Sequence, residues 1–100
     1  MKLYFYYLEN NGMRLEEREA VEKPKTYRIK NDFGDTVINK EGIGKIQGSY
    51  VKHIVLTELD FKQAKQMFHD YLSDIIQRMN ENIKDYERKL IALEESEEAT

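Results

Sequence analysis

The chain has 100 residues, no cysteine, and 16 Lys+Arg against 19 Asp+Glu, a formal charge of −3. That length fits one compact domain. The charge balance lacks the cationic excess that phosphate backbones or anionic lipid heads attract, and the missing thiols exclude disulfides, thiolate nucleophiles and Cys-based metal sites.

No window approaches the run of about eighteen apolar residues that spans a bilayer, and residues 1–8 are not followed by a small-residue cleavage site. Neither a membrane span nor a signal peptide is predicted, and a reducing cytoplasm is the expected compartment. All five glycines and the single proline fall within residues 1–48. The first part is therefore punctuated by turns, and nothing in the second interrupts a helix. The expected fold class is α+β in one domain. A small N-terminal antiparallel sheet of three to four strands occupies residues 1–56, its first two strands forming a hairpin. One long C-terminal helix covers 57–94, and 95–100 form a frayed acidic tail.

In chain order, Leu3-Tyr4-Phe5-Tyr6-Tyr7-Leu8 joins β-favouring residues to side chains able to fill both faces of a pleated strand, which predicts a well-covered strand. Asn10-Asn11-Gly12 tolerates positive φ and predicts a tight hairpin with residues 13–21 as the return strand. Residues 13–20 would also suit a short helix by propensity, and the turn ahead of them decides for strand. Pro24 cannot donate to a ladder, so pairing stops there and residues 26–29 form an edge strand or an extended connection. Residues 31–35 are a turn, 36–38 a weak strand and 42–48 a loop. Residues 50–56, with β-branched Val51, Ile54 and Val55, are the last strand.

Thr57-Glu58-Leu59-Asp60 carries the signs of a helix start, with a capping hydroxyl and acidic side chains in the first turn. Apolar side chains then recur at Phe61, Ala64, Phe68, Tyr71, Leu72, Ile75, Met79, Ile83, Tyr86, Leu90 and Leu93, an average of about 3.56 residues per turn. At roughly 1.5 Å per residue such a helix exceeds about 50 Å, whereas a globule of this size has a radius of gyration near 13 Å. One globule cannot cover it. Either the helix bends back near Ser73-Asp74 or Asn80-Glu81-Asn82, or its distal half finds another chain. With no Gly or Pro to mark a corner, a straight helix is expected, with Met79, Ile83, Tyr86, Leu90 and Leu93 forming the seam of a homodimer. Asn82 is either an amide within the stripe that fixes register or a polar residue at its margin. On the opposite face Asp70, Asp74, Glu81 and Asp85 form an acidic strip.

Catalytic signals are weak. Gly42-Ile43-Gly44-Lys45 has Ile46 where a phosphate loop needs Ser or Thr, and its glycine spacing is wrong. His53 and His69 have no second His at i+4, and Ser49, Ser73 and Ser96 lack a nucleophile elbow. No enzyme activity, cofactor or metal is expected. Tyr4, Tyr6, Tyr27 and Tyr50 invite comparison with a base-stacking platform, which requires a cationic groove. Here Lys25, Arg28 and Lys30 are flanked by Glu19, Glu22, Asp32 and Asp35. Direct nucleic-acid binding is therefore not expected. The tyrosines are assigned to the core and rim of a sheet, with Tyr4, Tyr6 and Tyr27 as candidate protein-binding anchors wherever they are exposed.

The Tyr-rich opening strand, the segment Val21-Glu22-Lys23-Pro24-Lys25-Thr26-Tyr27, and Ile54-Val55-Leu56-Thr57-Glu58 leading into a charged helix with Ala64 and Phe68 together resemble small uncharacterised proteins of phages and integrative elements in low-GC Gram-positive bacteria. The resemblance implies a host-directed inhibitor or adaptor of the anti-CRISPR kind. Its partner would be a bacterial defence protein such as a CRISPR nuclease, whose basic groove the strip Asp70, Asp74, Glu81 and Asp85 would face. The alternative expectation is a dimeric helical scaffold or regulatory phage protein.

Overall fold

The computed structural model describes residues 1–96. Among these, the elements in order are β1 Lys2–Glu9, β2 Gly12–Glu19, β3 Val21–Glu22, β4 Thr26–Ile29, β5 Thr36–Asn39, a 3₁₀ turn Lys40–Gly42, β6 His53–Leu56 and the helix α1 Phe61–Glu95. The class is α+β, with a hairpin at the start and one long helix at the end. The chain divides into two compact units, Met1–Phe68 and the segment from His69 onward.

The strands of the first unit form two antiparallel three-stranded sheets, in the orders β2-β1-β6 and β3-β4-β5. β1 lies at the centre of the first, and its alternating side chains feed two cores. Leu3 and Phe5, with Val55 of β6, meet Ala20, Tyr27 and Ile29 of the second sheet's side. On the other face Tyr6, with Ile54 and Leu56, meets Ala64 and Phe68 of α1. Burial on both faces is why this strand has no polar alternation.

At the first hairpin, β1 ends opposite the start of β2, with Glu9 facing Gly12. The positive φ falls on Gly12 alone, at +127°, and both asparagines stay at negative φ. A Cβ would be strained at that backbone angle, so glycine is the residue the turn requires.

Four expectations are corrected. The return strand anticipated over 13–21 is two strands: β2 stops at Glu19, and the buried Ala20 turns the chain into β3. Its N–H donates to the Met1 carbonyl at 2.8 Å, and the next residues pair with β4, so the strand changes sheets at a corner. Residues 26–29 are not an edge; β4 sits between β3 and β5. The strand expected from residue 50 begins at His53, because the chain bends through Gly48 at φ +104° and leaves Tyr50 fully exposed. A Cβ on Gly48 would collide with the Val51 carbonyl oxygen, so this bend requires glycine. The helix starts at Phe61, not Thr57, and includes Glu95. Ser96 Oγ donates to the Ala92 carbonyl at 2.8 Å, and the remainder of the expected tail, 97–100, lies outside the described residues.

Candidate interaction surface

Asp60 sets the start of α1. The Gln63 N–H donates to its side-chain oxygen at 3.0 Å, the N-cap arrangement that satisfies one of the helix's free amides. The Asp60 N–H itself donates to the buried Tyr6 hydroxyl at 3.0 Å. A core tyrosine of β1 thus fixes where the helix begins, and Ala64 and Phe68, one turn apart, close over Tyr6, Ile54 and Leu56.

In the second unit, exposure separates the apolar positions of α1 into two sets. Tyr71 and Ile75 are half-buried. Leu72, Ile76, Met79, Ile83, Tyr86, Leu90 and Leu93 are 41–71% exposed, and they follow one another at steps of four and three residues without a break. That is the a/d pattern of a coiled-coil seam. Position a holds Ile76, Ile83 and Leu90; position d holds Leu72, Met79, Tyr86 and Leu93. The five expected seam residues all belong to this set, and sequence reasoning missed Ile76 and grouped Ile75 with them. The signal was present as an unbroken 4-3 spacing, hidden by averaging over both faces. Asn82 falls at a flanking g position, the margin of the seam, which is the second of its two readings.

Asp70, Asp74, Glu81 and Asp85 share the face opposite this seam, at helical rotations within about 60° of one another. Asp74 pairs with Arg78, Asp85 with Arg88 at 3.4 Å, His69 meets Asp70 at 3.4 Å, and the Gln77 amide donates to Glu81 at 3.5 Å. Such exposed pairs contribute at most about 1 kcal/mol each and open readily.

The tyrosine anchors are corrected. Tyr6 is 0% and Tyr27 8% exposed, so both are core residues with no surface to offer a partner. Tyr4 is half-buried against the core that α1 closes. The exposed aromatics of the first unit are instead Phe33, at the tip of the β4–β5 turn, Tyr50, and Phe61 at the start of α1.

The glycine loop is built to hold β6. The Gly44 N–H donates to the Val55 carbonyl at 2.9 Å, the Ile43 N–H to Lys40 at 3.2 Å and the Lys45 N–H to Gly42 at 3.3 Å, while the Gln47 side-chain amide donates to the Gly42 carbonyl at 2.6 Å. Amides already committed to carbonyls cannot cradle a phosphate. His53 lies 5.8 Å from the Tyr7 ring, and His69 is exposed on α1. Among the described residues no group of three or more His, Asp or Glu is placed to hold a metal ion, and no helix is long and apolar enough to cross a membrane.

A small charged cluster borders Tyr7. The Arg14 guanidinium lies 4.4 Å from its ring centre and donates to Glu9 at 2.5 Å and to Glu16 at 3.4 Å. Burial pushes the Tyr7 phenol above its usual range; the Glu16 carboxylate adds to the shift, and Arg14 and Arg18 oppose it.

No protein-family model, curated protein or solved structure matches this chain.

Proposed function

We propose that the chain is a non-enzymatic protein-interaction module whose binding surface is the apolar seam of α1 from Leu72 to Leu93. The observation that carries this reading is the run of seven large apolar side chains at unbroken 4-3 spacing, each 41–71% exposed. Most of the stability of an amphipathic helix comes from packing of its apolar face and not from propensity, and covering one such side chain is worth roughly 1.5–3 kcal/mol when burial is complete. A surface of this kind is satisfied by another helix with the same spacing.

A second reading follows from the resemblance and uses the opposite face. There Asp70, Asp74, Glu81 and Asp85 would meet a basic groove of a host defence protein, and their shared face favours it. It ranks behind the first because Tyr6 and Tyr27 are not available as anchors.

A photo-crosslinking amino acid placed at Ile83, and separately at Glu81, in the producing cell distinguishes the faces. Covalent protein adducts from position 83 and none from 81 are expected. Adducts from 81 alone would transfer the function to the acidic strip, and no adduct of any mass from 83 would end the seam reading.

A further inference from the structure

We infer that the occupant of the α1 seam is a second copy of this chain, lying parallel and in register as a two-stranded coiled coil. The inference rests on the seam being a protein-binding surface and goes further by naming what covers it. Three features of the seam point to this occupant. First, the spacing is self-complementary: in a parallel pair each a or d residue meets its own counterpart, so all seven positions are filled. An antiparallel pair sets a against d, and three a residues cannot serve four d residues, so one apolar side chain of each chain stays in water. Second, β-branched Ile76 and Ile83 occupy a while Leu72 and Leu93 occupy d, the distribution that favours two parallel strands over larger bundles.

Third, the flanking charges fit. Lys89 is at g and Glu94 at the following e, and in a parallel pair g of one helix faces e of the other. Lys89 of each copy therefore meets Glu94 of its mate, twice by symmetry. An antiparallel pair sets g against g and e against e, which loses both contacts. Within one helix these residues are five apart and do not face each other, so their complementarity has meaning only between chains. The acidic strip, on the far side of the helix, remains open to solvent in such a pair.

The absence of cysteine makes the orientation directly testable in the full-length chain. Sedimentation should give a mass twice the 12.0 kDa of the chain, falling to that of one chain on dilution. Under mild oxidation Leu93→Cys should link two chains rapidly, and Glu81→Cys, on the back of the helix, should not. Lys89→Glu should weaken association about fivefold, and adding Glu94→Lys to it should restore the affinity. A chain that stays monomeric at every concentration overturns the inference, as does a dimer in which the Leu93→Cys thiols fail to link or the double variant fails to rescue. Failure here is distinct from failure of the module reading. A monomeric chain that still yields seam adducts of foreign mass keeps the interaction surface and loses the self-pairing.

Discussion

At the scale of single residues, the junction between sheet and helix depends on Asp60 and Tyr6. Asp60→Ala removes the acceptor for the Gln63 N–H and is expected to cost about 1 kcal/mol. Thr57, the cap suggested by the sequence, is outside the helix, so Thr57→Ala should change stability by less than about 0.5 kcal/mol. Urea unfolding followed by circular dichroism compares the two, and equal costs would contradict the observed start. What decided between them was a contact across 54 residues, from Asp60 to the Tyr6 hydroxyl, and local sequence carries no trace of it. Tyr7 adds a pH dependence. Its phenol is held above the usual value chiefly by burial, so the folded state binds the proton more tightly than the unfolded chain. Its contribution is fully present below the unfolded pKa, near 10, and is lost as pH rises through the folded value. Alkaline unfolding of Tyr7→Phe should show a shallower loss of stability above that point.

At the scale of elements, β1 and α1 were legible because each pattern is long and consistent with its own period. The run from Leu3 to Leu8 supports a strand buried on both sides, and the absence of Gly and Pro after residue 48 supports one helix. The division of strands between two sheets was not legible: β3 has two residues, and nothing local indicates that Val21 pairs with Arg28. Nor could the exposed tyrosines be told from the buried ones, since Tyr6 and Tyr7 differ by one step of the pleat and by which layer covers each face. The helix periodicity merged two faces for the same reason. Once exposure separates them, a thermodynamic consequence follows. With a second copy covering the seam as proposed, the distal helix would draw stability from association, and its ellipticity at 222 nm should fall on about hundredfold dilution. The tyrosine signal of the first unit should not change. A helix signal independent of concentration would mean that α1 stands without a mate.

At the scale of the whole molecule, charge follows function as proposed. The segment before residue 49 is nearly balanced, while the segment after it carries the acidic excess, and four of its carboxylates, Asp70, Asp74, Glu81 and Asp85, share the face of α1 opposite the seam. In the proposed pair, negative charge on that face would keep the paired chains soluble and discourage stacking of further helices. The central position of β1 has its own consequence, for biogenesis. β1 leaves the ribosome with its hairpin partner β2 close behind, but its other neighbour, β6, follows only after residues 20–52. At about 5–20 residues per second that interval lasts roughly 2–7 s. Throughout it, one hydrogen-bonding edge of a tyrosine-rich strand is open, and the nascent chain is most vulnerable to mispairing just before its last strand arrives.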